Sequence, residues 1–299
     1  MSRYSGQLYD TIVCFGDSLT QHGWDVTKHG WVAQLSQAYL RRLDVVNRGF
    51  SGFNSKWVRL LFDQLLPVNP AISDPNKPQD APKAPANEPQ EPEPDMPSVA
   101  DSACSTRRSK LRLFTILLGA NDAQLSPLKQ HVPLDEFQAN IEYFVLSLTS
   151  PTSQFYSPDT RIILITPPPV GEKLWKERLA NDGIDGLDRR NDNTKKYADA
   201  VKAVGERFSV PCIDLWTAIE DKVSEVRLRS NDKLEYDGYD TYSWDGVHLN
   251  ANGNDLLFGL LMAAIRENFP ELDPDSMPFV VCDHRSFTGS EDLGQLFQL

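Results

Sequence analysis

Three residues in two short segments of this chain have the types and spacing needed to activate a hydroxyl group. Ser18 lies in CFGDSLT, and Asp245 and His248 lie three residues apart in WDGVHLN. A serine hydroxyl is a weak nucleophile that needs a general base, and an imidazole base needs a partner that orients its ring. Across a turn, the Asp245 carboxylate can reach Nδ1–H of His248 and leave Nε2 for Ser18. Taken singly, Ser18 is better explained as a helix cap and His248 as a structural loop histidine.

Two glycine-containing segments are candidates for stabilising the negatively charged oxygen that develops during attack on a carbonyl. RGFSGFNS holds Gly52, whose backbone N–H is accessible because no Cβ blocks close approach. GANDA holds Asn121, whose side-chain amide is a second donor, and the backbone N–H of Ser18 is a third. Each segment is also compatible with a plain turn after a strand. The chemical interpretation is favoured because the set supplies nucleophile, base, orienter and donors together.

Short apolar runs alternate with helical patterns along the chain, and this alternation predicts the fold that positions the candidate residues. The strand candidates are TIVCFG from Thr11, LDVVNRG from Leu43, LFTILLG from Leu113, RIILIT from Arg161 and VPCIDL from Val210. Apolar residues at helical spacing begin at Trp31, Phe137, Tyr197 and Leu256, a further helix begins near Asn54, and Asn250 or Asn252 caps the last helix. We therefore predict an α/β fold with a mostly parallel sheet covered on both faces. All four candidate segments are expected to follow strands, along one edge of that sheet.

Two stretches interrupt this alternation. Residues 67–108 start with ten prolines in the 31 residues from Pro67 to Pro97, and we interpret them as a proline-rich, disordered insertion. Residues 271–299 form an acidic C-terminal extension, with an extra strand predicted at Phe279 to Cys282. The remainder of residues 1–270 is predicted to be one domain. The insertion is either a tolerated loop or a docking site for a protein partner.

Charge and hydropathy argue against several classes of protein. Of the net charge of −12, residues 67–97 carry −4 and residues 271–299 carry −5, which leaves −3 on the other 239 residues. The body of the protein therefore offers no broad basic surface for nucleic acid, and we interpret the short basic run from Arg107 to Arg112 as solvated. No apolar run is long enough for stable membrane insertion, and the start MSRYSGQLYD is polar. We expect a cytoplasmic protein. The sequence does not indicate an oligomeric state.

Neither a metal site nor a nucleotide site is expected. The four cysteines lie far apart without a CxxC pair, so free thiols are predicted. No spaced set of ligands accompanies His22 or His29. The phosphate-binding patterns GxGxxG and GxxxxGK[ST] are also missing from the sequence.

At the four candidate segments the sequence resembles the SGNH, or GDSL, hydrolase superfamily. Its blocks read here as GDSL around Ser18, RGFSG to Gly52, GAND around Asn121 and DGVH to His248. The stretches WVAQLSQAYLRRLDVVNRGFSGFNSKW and FTILLGANDAQL are most similar to its isoamyl acetate-hydrolysing esterase branch. The resemblance covers roughly residues 10–66 and 112–268. It implies a three-layer α/β/α sandwich with a five-stranded parallel, flavodoxin-like sheet, and esterase activity without a metal or organic cofactor.

The predicted ligand is a small carboxylic ester, and the resemblance favours acetate or another short acyl group. A lysophospholipase or a carbohydrate O-deacetylase would use the same residues, and an inactive scaffold that binds partners through the insertion is the alternative from another class. Apolar residues beside the candidate segments either wall an acyl or alcohol pocket or belong to the core; they are Leu19, Phe50, Phe53, Trp57 and Trp244. The GxSxG pattern of α/β-hydrolases is not met, because Thr20 takes the place of its last glycine.

Overall fold

The computed structural model describes residues 9–66, 109–230 and 234–281, and within them five parallel strands form one sheet. The strands are β1 Asp10–Gly16, β2 Leu43–Gly49, β3 Leu111–Leu117, β4 Arg161–Ile165 and β5 Cys212–Ile213. Their order in the sheet is β2-β1-β3-β4-β5. The chain builds outward from β1 to β2 and then crosses back to β3, so the order reverses between β1 and β3. In open parallel sheets the crevice at this reversal is where ligands bind.

Helices connect successive strands and cover both faces of the sheet. They are α1 Ser18–Gln21, α2 Trp31–Ala38, α3 Ser55–Phe62, α4 Leu134–Thr149, α5 Glu172–Asn181, α6 Asn191–Phe208, α7 Leu215–Arg229 and α8 Ala251–Asn268, with short 3-10 turns at His22–Trp24, Val26–Lys28, Tyr239–Thr241 and Pro270–Leu272. Side chains of α2, α7 and α8 pack on one face of the sheet, and those of α3, α4 and α6 pack on the other face. The predicted three-layer α/β/α sandwich with a flavodoxin-like sheet is confirmed. None of the helices in the described ranges is long and apolar enough to cross a membrane.

The two faces follow from the alternation of side chains along the interior strand β1. Ile12 and Cys14 of β1 belong to the core under α2 and α8, whereas Val13 and Phe15 belong to the core under α3 and α4. Both layers are apolar because a parallel sheet is buried on each side. The second core contains a group of aromatic rings whose centroids lie 4.7 to 6.0 Å apart; its members are Phe15, Phe62, Phe114, Tyr143 and Phe144.

The strand predicted from Val210 is shorter than its apolar run suggests. VPCIDL forms only the two-residue β5, because the Asp214 side chain accepts the N–H of Thr217 and caps α7. The prediction of a strand over Phe279 to Cys282 is wrong for its described residues, among which only Val281 is a bridge residue. This segment is held by backbone bonding, since Val280 N–H donates to the carbonyl of Arg41.

The expectation that all four candidate segments follow strands is wrong for the fourth. Ser18, Gly52 and Asn121 come directly after β1, β2 and β3, but Asp245 and His248 follow α7 and a 3-10 turn. The prediction overlooked α7, although Leu215, Ile219 and Val223 are buried at helical spacing. It also overlooked α5, which is mostly polar. The predictions for residues 67–108, and for the extension beyond 281, lie outside the described residues.

Phe144 provides a test of the aromatic core. It is fully buried on α4, and Phe144→Ala should lower the free energy of unfolding by about 3–5 kcal/mol, because truncating a large buried ring leaves a cavity. Leu146 on the same helix is 40% exposed, so Leu146→Ala is the matched control and should cost much less. Urea denaturation of both variants measures the difference, and equal losses would contradict the assignment of Phe144 to the core.

Candidate active site

A single carboxylate shapes the loop that precedes α8. Asp245 Oδ1 accepts the backbone N–H groups of Val247 and His248 at 2.9 and 2.8 Å, and Oδ2 lies 2.6 Å from Nδ1 of His248. The short aspartate side chain suits such a turn because it bonds to backbone groups just ahead of it. Gly246 occupies the turn at φ +96°, where a Cβ would lie 2.5 Å from the carbonyl oxygen of Gly171. Asp245 therefore fixes both the conformation of the turn and the orientation of the His248 ring.

The other ring nitrogen of His248 reaches the serine after β1. His248 Nε2 lies 2.8 Å from Ser18 Oγ, so with Nδ1–H donating to Asp245, Nε2 accepts the hydroxyl proton of Ser18. Ser18 and Asp245 are buried, and the His248 side chain is 18% exposed. The structure thus brings together the three residues that the sequence predicts as nucleophile, base and orienter.

The electrostatic setting keeps Asp245 charged. Burial alone would raise the pKa of Asp245, but the hydrogen bond and positive charge of His248, together with the backbone N–H bonds, hold that pKa below its ordinary value. A carboxylate that accepts several hydrogen bonds is stabilised in its ionised form. Asp245 can therefore stabilise an imidazolium on His248.

Ser18 opens the short α1, and the residue before it caps that helix. Asp17 Oδ1 accepts the N–H of Leu19 at 2.9 Å, so Asp17 acts as the N-cap of α1. Hydrogen bonding continues from β1 to the next loop, because Phe50 N–H donates to the Gly16 carbonyl at 2.9 Å. The chain after β2 is thereby held beside the chain that carries Ser18.

The two candidate donors besides Ser18 come from the loops after β2 and β3. Gly52 has φ +78°, a conformation that favours glycine. Within the described residues, neither Gly52 nor Ser18 donates its backbone N–H to an acceptor. Asn121 is 5% exposed, and its Nδ2 donates one hydrogen bond to the Phe53 carbonyl at 2.9 Å. An amide nitrogen carries two N–H groups, so a second one remains available on Asn121.

Sequence reasoning missed a buried arginine that contacts this donor set. Arg189 is 5% exposed, and its Nη2 donates to Asn121 Oδ1 at 3.0 Å and to Gln130 Oε1 at 2.7 Å. It follows Asp188 and precedes α6 in LDRRN, where the neighbouring Arg190 side chain is 56% exposed. Two adjacent arginines in a polar segment carry no pattern that tells the buried one from the exposed one.

Two further carboxylates lie buried next to the candidate residues. Asp17 precedes Ser18 and Asp122 follows Asn121, and each leaves Oδ2 without a hydrogen-bond partner among the residues that the structure describes. Burial raises the pKa of Asp17 to about 6, against the opposing effects of the Leu19 N–H and of His248 and Arg189. Burial raises the pKa of Asp122 to about 7, and the nearby Asp17 adds to this increase, although hydrogen bonds to Ser55 oppose it.

Aromatic and basic side chains surround the imidazole on its outer side. The Trp244 ring stacks on His248 with centroids 5.4 Å apart and planes at 16°, and the His22 ring meets His248 edge-on at 5.4 Å. Lys28 Nζ lies 4.4 Å from the centroid of Trp244. Burial and the neighbouring charges of His248 and Lys28 lower the pKa of His22. Trp244 is 41% exposed and thus forms part of the mouth of the site.

The other predicted wall residues divide between core and surface. Leu19 is buried in the core under α2 and α8, so its alternative assignment to the core is confirmed. Phe50, Phe53 and Trp57 are half-buried and form a row with successive centroids 5.9 Å apart, starting beside Gly52.

No group of three histidine, cysteine, aspartate or glutamate side chains suited to a metal occurs in the described part of the chain. His29 instead contacts Asp255, with Nδ1 and Oδ2 3.3 Å apart. Cys14 and Cys212 are free thiols, while Cys104 and Cys282 lie outside the described residues.

A flavodoxin-like sheet with a linked carboxylate, imidazole and serine hydroxyl at its carboxyl edge places this chain among α/β proteins of the serine-hydrolase class. Comparison with known proteins narrows the class. The model of the GDSL-like lipase/acylhydrolase family matches residues 14–256. The human isoamyl acetate-hydrolyzing esterase 1 homolog is 31% identical over 92% of this chain and 88% of its own length. The isoamyl acetate-hydrolyzing esterase of Saccharomyces cerevisiae is 24% identical over 93% of this chain and 94% of its own length.

Solved structures agree on the fold. A lipase/acylhydrolase from Enterococcus faecalis superposes with a TM-score of 0.51 at 20% identity, covering 86% of this chain and 96% of its own. The chain belongs to the GDSL-like lipase/acylhydrolase family, and it is an ester hydrolase.

Asp122 allows the buried carboxylates to be tested through stability. The unfolded chain releases this proton near pH 3.8, whereas the folded protein keeps it until about pH 7, so stability falls as the pH rises between these values. The slope from this group is at most about 1.4 kcal/mol per pH unit. Asp122→Asn keeps an oxygen for Ser55 N–H but cannot titrate, so the free energy of unfolding should decline less steeply from about pH 4 to 6.

Urea denaturation at a series of pH values measures this slope. Asp159→Asn is the control, because that side chain is 72% exposed, and it should keep the slope of the wild type. A slope in Asp122→Asn equal to that of the wild type would show that Asp122 ionises alike in both states.

Proposed function

We propose that this protein hydrolyses small carboxylic esters through an acyl-enzyme formed on Ser18. The observation that carries the proposal is the continuous hydrogen-bonded path from Asp245 through His248 to Ser18, with heavy-atom distances of 2.6 and 2.8 Å. Such a path lets the imidazole remove the hydroxyl proton as the serine oxygen attacks.

In the first half of the reaction, Ser18 Oγ forms a bond to the ester carbonyl carbon while His248 Nε2 takes the hydroxyl proton. Asp245 stabilises the imidazolium. The tetrahedral intermediate collapses, the bond to the alcohol oxygen breaks, and His248 donates its proton to the leaving alcohol. In the second half, water forms a bond to the acyl carbon while His248 takes its proton. The bond between the acyl carbon and Ser18 Oγ then breaks, His248 returns the proton to Oγ, and the carboxylic acid leaves.

Three donors are assigned to stabilise the negative charge on the carbonyl oxygen. They are the backbone N–H groups of Ser18 and Gly52 and the side-chain amide of Asn121. Two observations support this assignment. The backbone donors have no acceptor within the described residues, and Asn121 retains a second N–H. Preorganised donors of this kind stabilise the transition state more than the ground state. The mechanism needs no metal or organic cofactor.

The substrate class follows from the similarity to named esterases. The human and yeast relatives are named for isoamyl acetate, a short acyl group on a branched apolar alcohol. The half-buried row of Phe50, Phe53 and Trp57 beside Gly52 offers an apolar surface suited to such an alcohol. We therefore favour acetates and other short-chain esters over lysophospholipids or acetylated carbohydrates. A series of p-nitrophenyl esters of rising chain length separates the first alternative, and acetate release from an acetylated sugar separates the second.

Two further expectations remain predictions: a cytoplasmic location and a protein partner at residues 67–108. The alternative of an inactive scaffold is set aside, because the chain belongs to an esterase family. Labelling by a fluorophosphonate, which reacts with activated serines, tests the nucleophile, and labelling of the wild type should disappear in Ser18→Ala.

Ser18→Ala and His248→Ala should abolish nearly all turnover of p-nitrophenyl acetate, because each removes a group that forms or breaks a bond. Ser224 is exposed on α7, so Ser224→Ala is the matched control and should keep the wild-type rate. Unchanged turnover in Ser18→Ala would refute the assigned nucleophile.

Asn121→Ala should lower kcat by about 10²–10³-fold with a smaller change in KM, since the lost donor acts mainly in the transition state. Asn268 is exposed at the end of α8, and Asn268→Ala should leave both constants unchanged. Steady-state kinetics on p-nitrophenyl acetate measures the effect. A rise in KM alone would mean that Asn121 binds the substrate uniformly and does not stabilise the oxyanion.

A further inference from the structure

The buried Arg189 is surrounded by acceptors that lead to the proposed oxyanion donors. Nε donates to the Ala120 carbonyl at 3.0 Å, and Nη1 donates to Asp188 Oδ2 at 2.8 Å. Nη2 donates two hydrogen bonds, one to Asn121 Oδ1 at 3.0 Å and one to Gln130 Oε1 at 2.7 Å. One planar group thus contacts the loop after β3 at both its backbone and its amide side chain. Lysine cannot provide this geometry, because its ammonium is a single point of charge.

The first consequence concerns the amide of Asn121. A guanidinium only donates hydrogen bonds and a backbone carbonyl only accepts them, so Oδ1 must face Arg189 and Nδ2 must face the Phe53 carbonyl. The amide is therefore confined to one of its two flip states. In the other state the carbonyl oxygen would take the place of the N–H, and it would repel an oxyanion.

The second consequence concerns Gly52, which Arg189 reaches through Gln130. Gln130 Oε1 accepts from Arg189, and its Nε2 donates to the Gly52 carbonyl at 2.7 Å. The backbone N–H of Gln130 donates to Gln124 Oε1 at 2.8 Å, which anchors the relay. This bond holds the peptide unit that follows the Gly52 Cα, and it thereby restrains the backbone torsions through which the Gly52 N–H, on the preceding peptide unit, is oriented at φ +78°.

The charge of Arg189 is balanced locally. Asp188 is 14% exposed, and its Oδ1 accepts the indole N–H of Trp175 at 2.6 Å. Burial lowers the pKa of Arg189, against the opposing effect of Asp188. Burying a cation costs desolvation free energy, which here is offset by one carboxylate, one backbone carbonyl and two side-chain amide oxygens. These contacts lead to Asn121 directly and to Gly52 through Gln130.

From this geometry we propose that Arg189 is a positioning residue, which orients Asn121 directly and Gly52 through Gln130 as oxyanion donors. The inference rests on the proposed function, and it assigns to Arg189 no contact with the substrate. It predicts that the effect of Arg189 on turnover is transmitted largely through Asn121.

A double-mutant cycle on kcat tests this transmission. Arg189→Lys keeps the charge but not the planar group, and it should lower kcat by at least about tenfold, up to the 10²–10³-fold loss expected for a missing donor, with KM nearly unchanged. Once Asn121→Ala has removed the amide, adding Arg189→Lys should cost much less than it does in the wild type. Losses that multiply in the double variant would overturn the proposal. Arg190→Met, at the exposed neighbour, is the control and should match the wild type.

Gln130→Met provides a second variant in case Arg189→Lys does not fold. It removes only the relay to Gly52, and it should lower kcat by about tenfold without raising KM, a part of the effect of losing a donor outright. An unchanged kcat in Gln130→Met overturns the Gly52 part of the proposal. Urea denaturation of each variant establishes that the folded protein is being compared.

NMR of the Asn121 side-chain amide separates this inference from the proposed function. The pair of N–H resonances that disappears in Asn121→Ala should shift or broaden in Arg189→Lys and stay in place in Arg190→Met. If the wild type does not turn over esters, the proposed function fails while this measurement still decides whether Arg189 fixes the amide. Unmoved resonances in Arg189→Lys overturn the positioning role.

Discussion

The candidate site depends on the three hydrogen bonds accepted by the Asp245 carboxylate. Two of them close the turn before α8, and the third holds the imidazole of His248. The position of this turn is set by α8. Asn254 on that helix donates to the Lys28 carbonyl and accepts the Trp31 N–H, which holds α8 against the start of α2. The imidazole therefore reaches Ser18 because a turn and a helix contact are satisfied together. The hydrogen bond between His248 and Ser18 therefore does not require a flexible side chain to become ordered.

The site concentrates charge where water has little access. Asp17, Asp122 and Asp245 are all buried, and burial raises the pKa of the first two. At Asp245 the hydrogen bond and charge of His248, with two backbone N–H groups, outweigh burial and lower the pKa, so burial does not determine the direction by itself. Arg189 is the buried cation among these acids, and its charge favours the ionised form of Asp17.

The sequence predicts the parallel sheet well because buried parallel strands are continuous apolar runs that end in glycine or polar residues. β1 and β3 follow their runs closely, whereas β5 is short because Asp214 starts a helix. The candidate triad was predictable, since each residue type has a chemical requirement, Ser18 follows a strand, and Asp245 and His248 are spaced so that they meet across a turn. Arg189 was not, because its burial depends on acceptors such as Ala120, Asn121 and Gln130, which lie far away along the chain. Local sequence carries no information about such contacts.

The direction of α3 has a consequence for how this chain can grow. This helix begins at Ser55, beside the loop of Gly52, and runs away from the carboxyl edge to Phe62, and the chain returns at Ser109, whose hydroxyl bonds to that of Thr11 near the start of β1. The points where residues 67–108 join the fold are thus at the far end of the sheet from Ser18. A tag or a second domain fused at either flanking residue, Leu66 or Ser109, would therefore start from the edge of the sheet opposite the reaction centre.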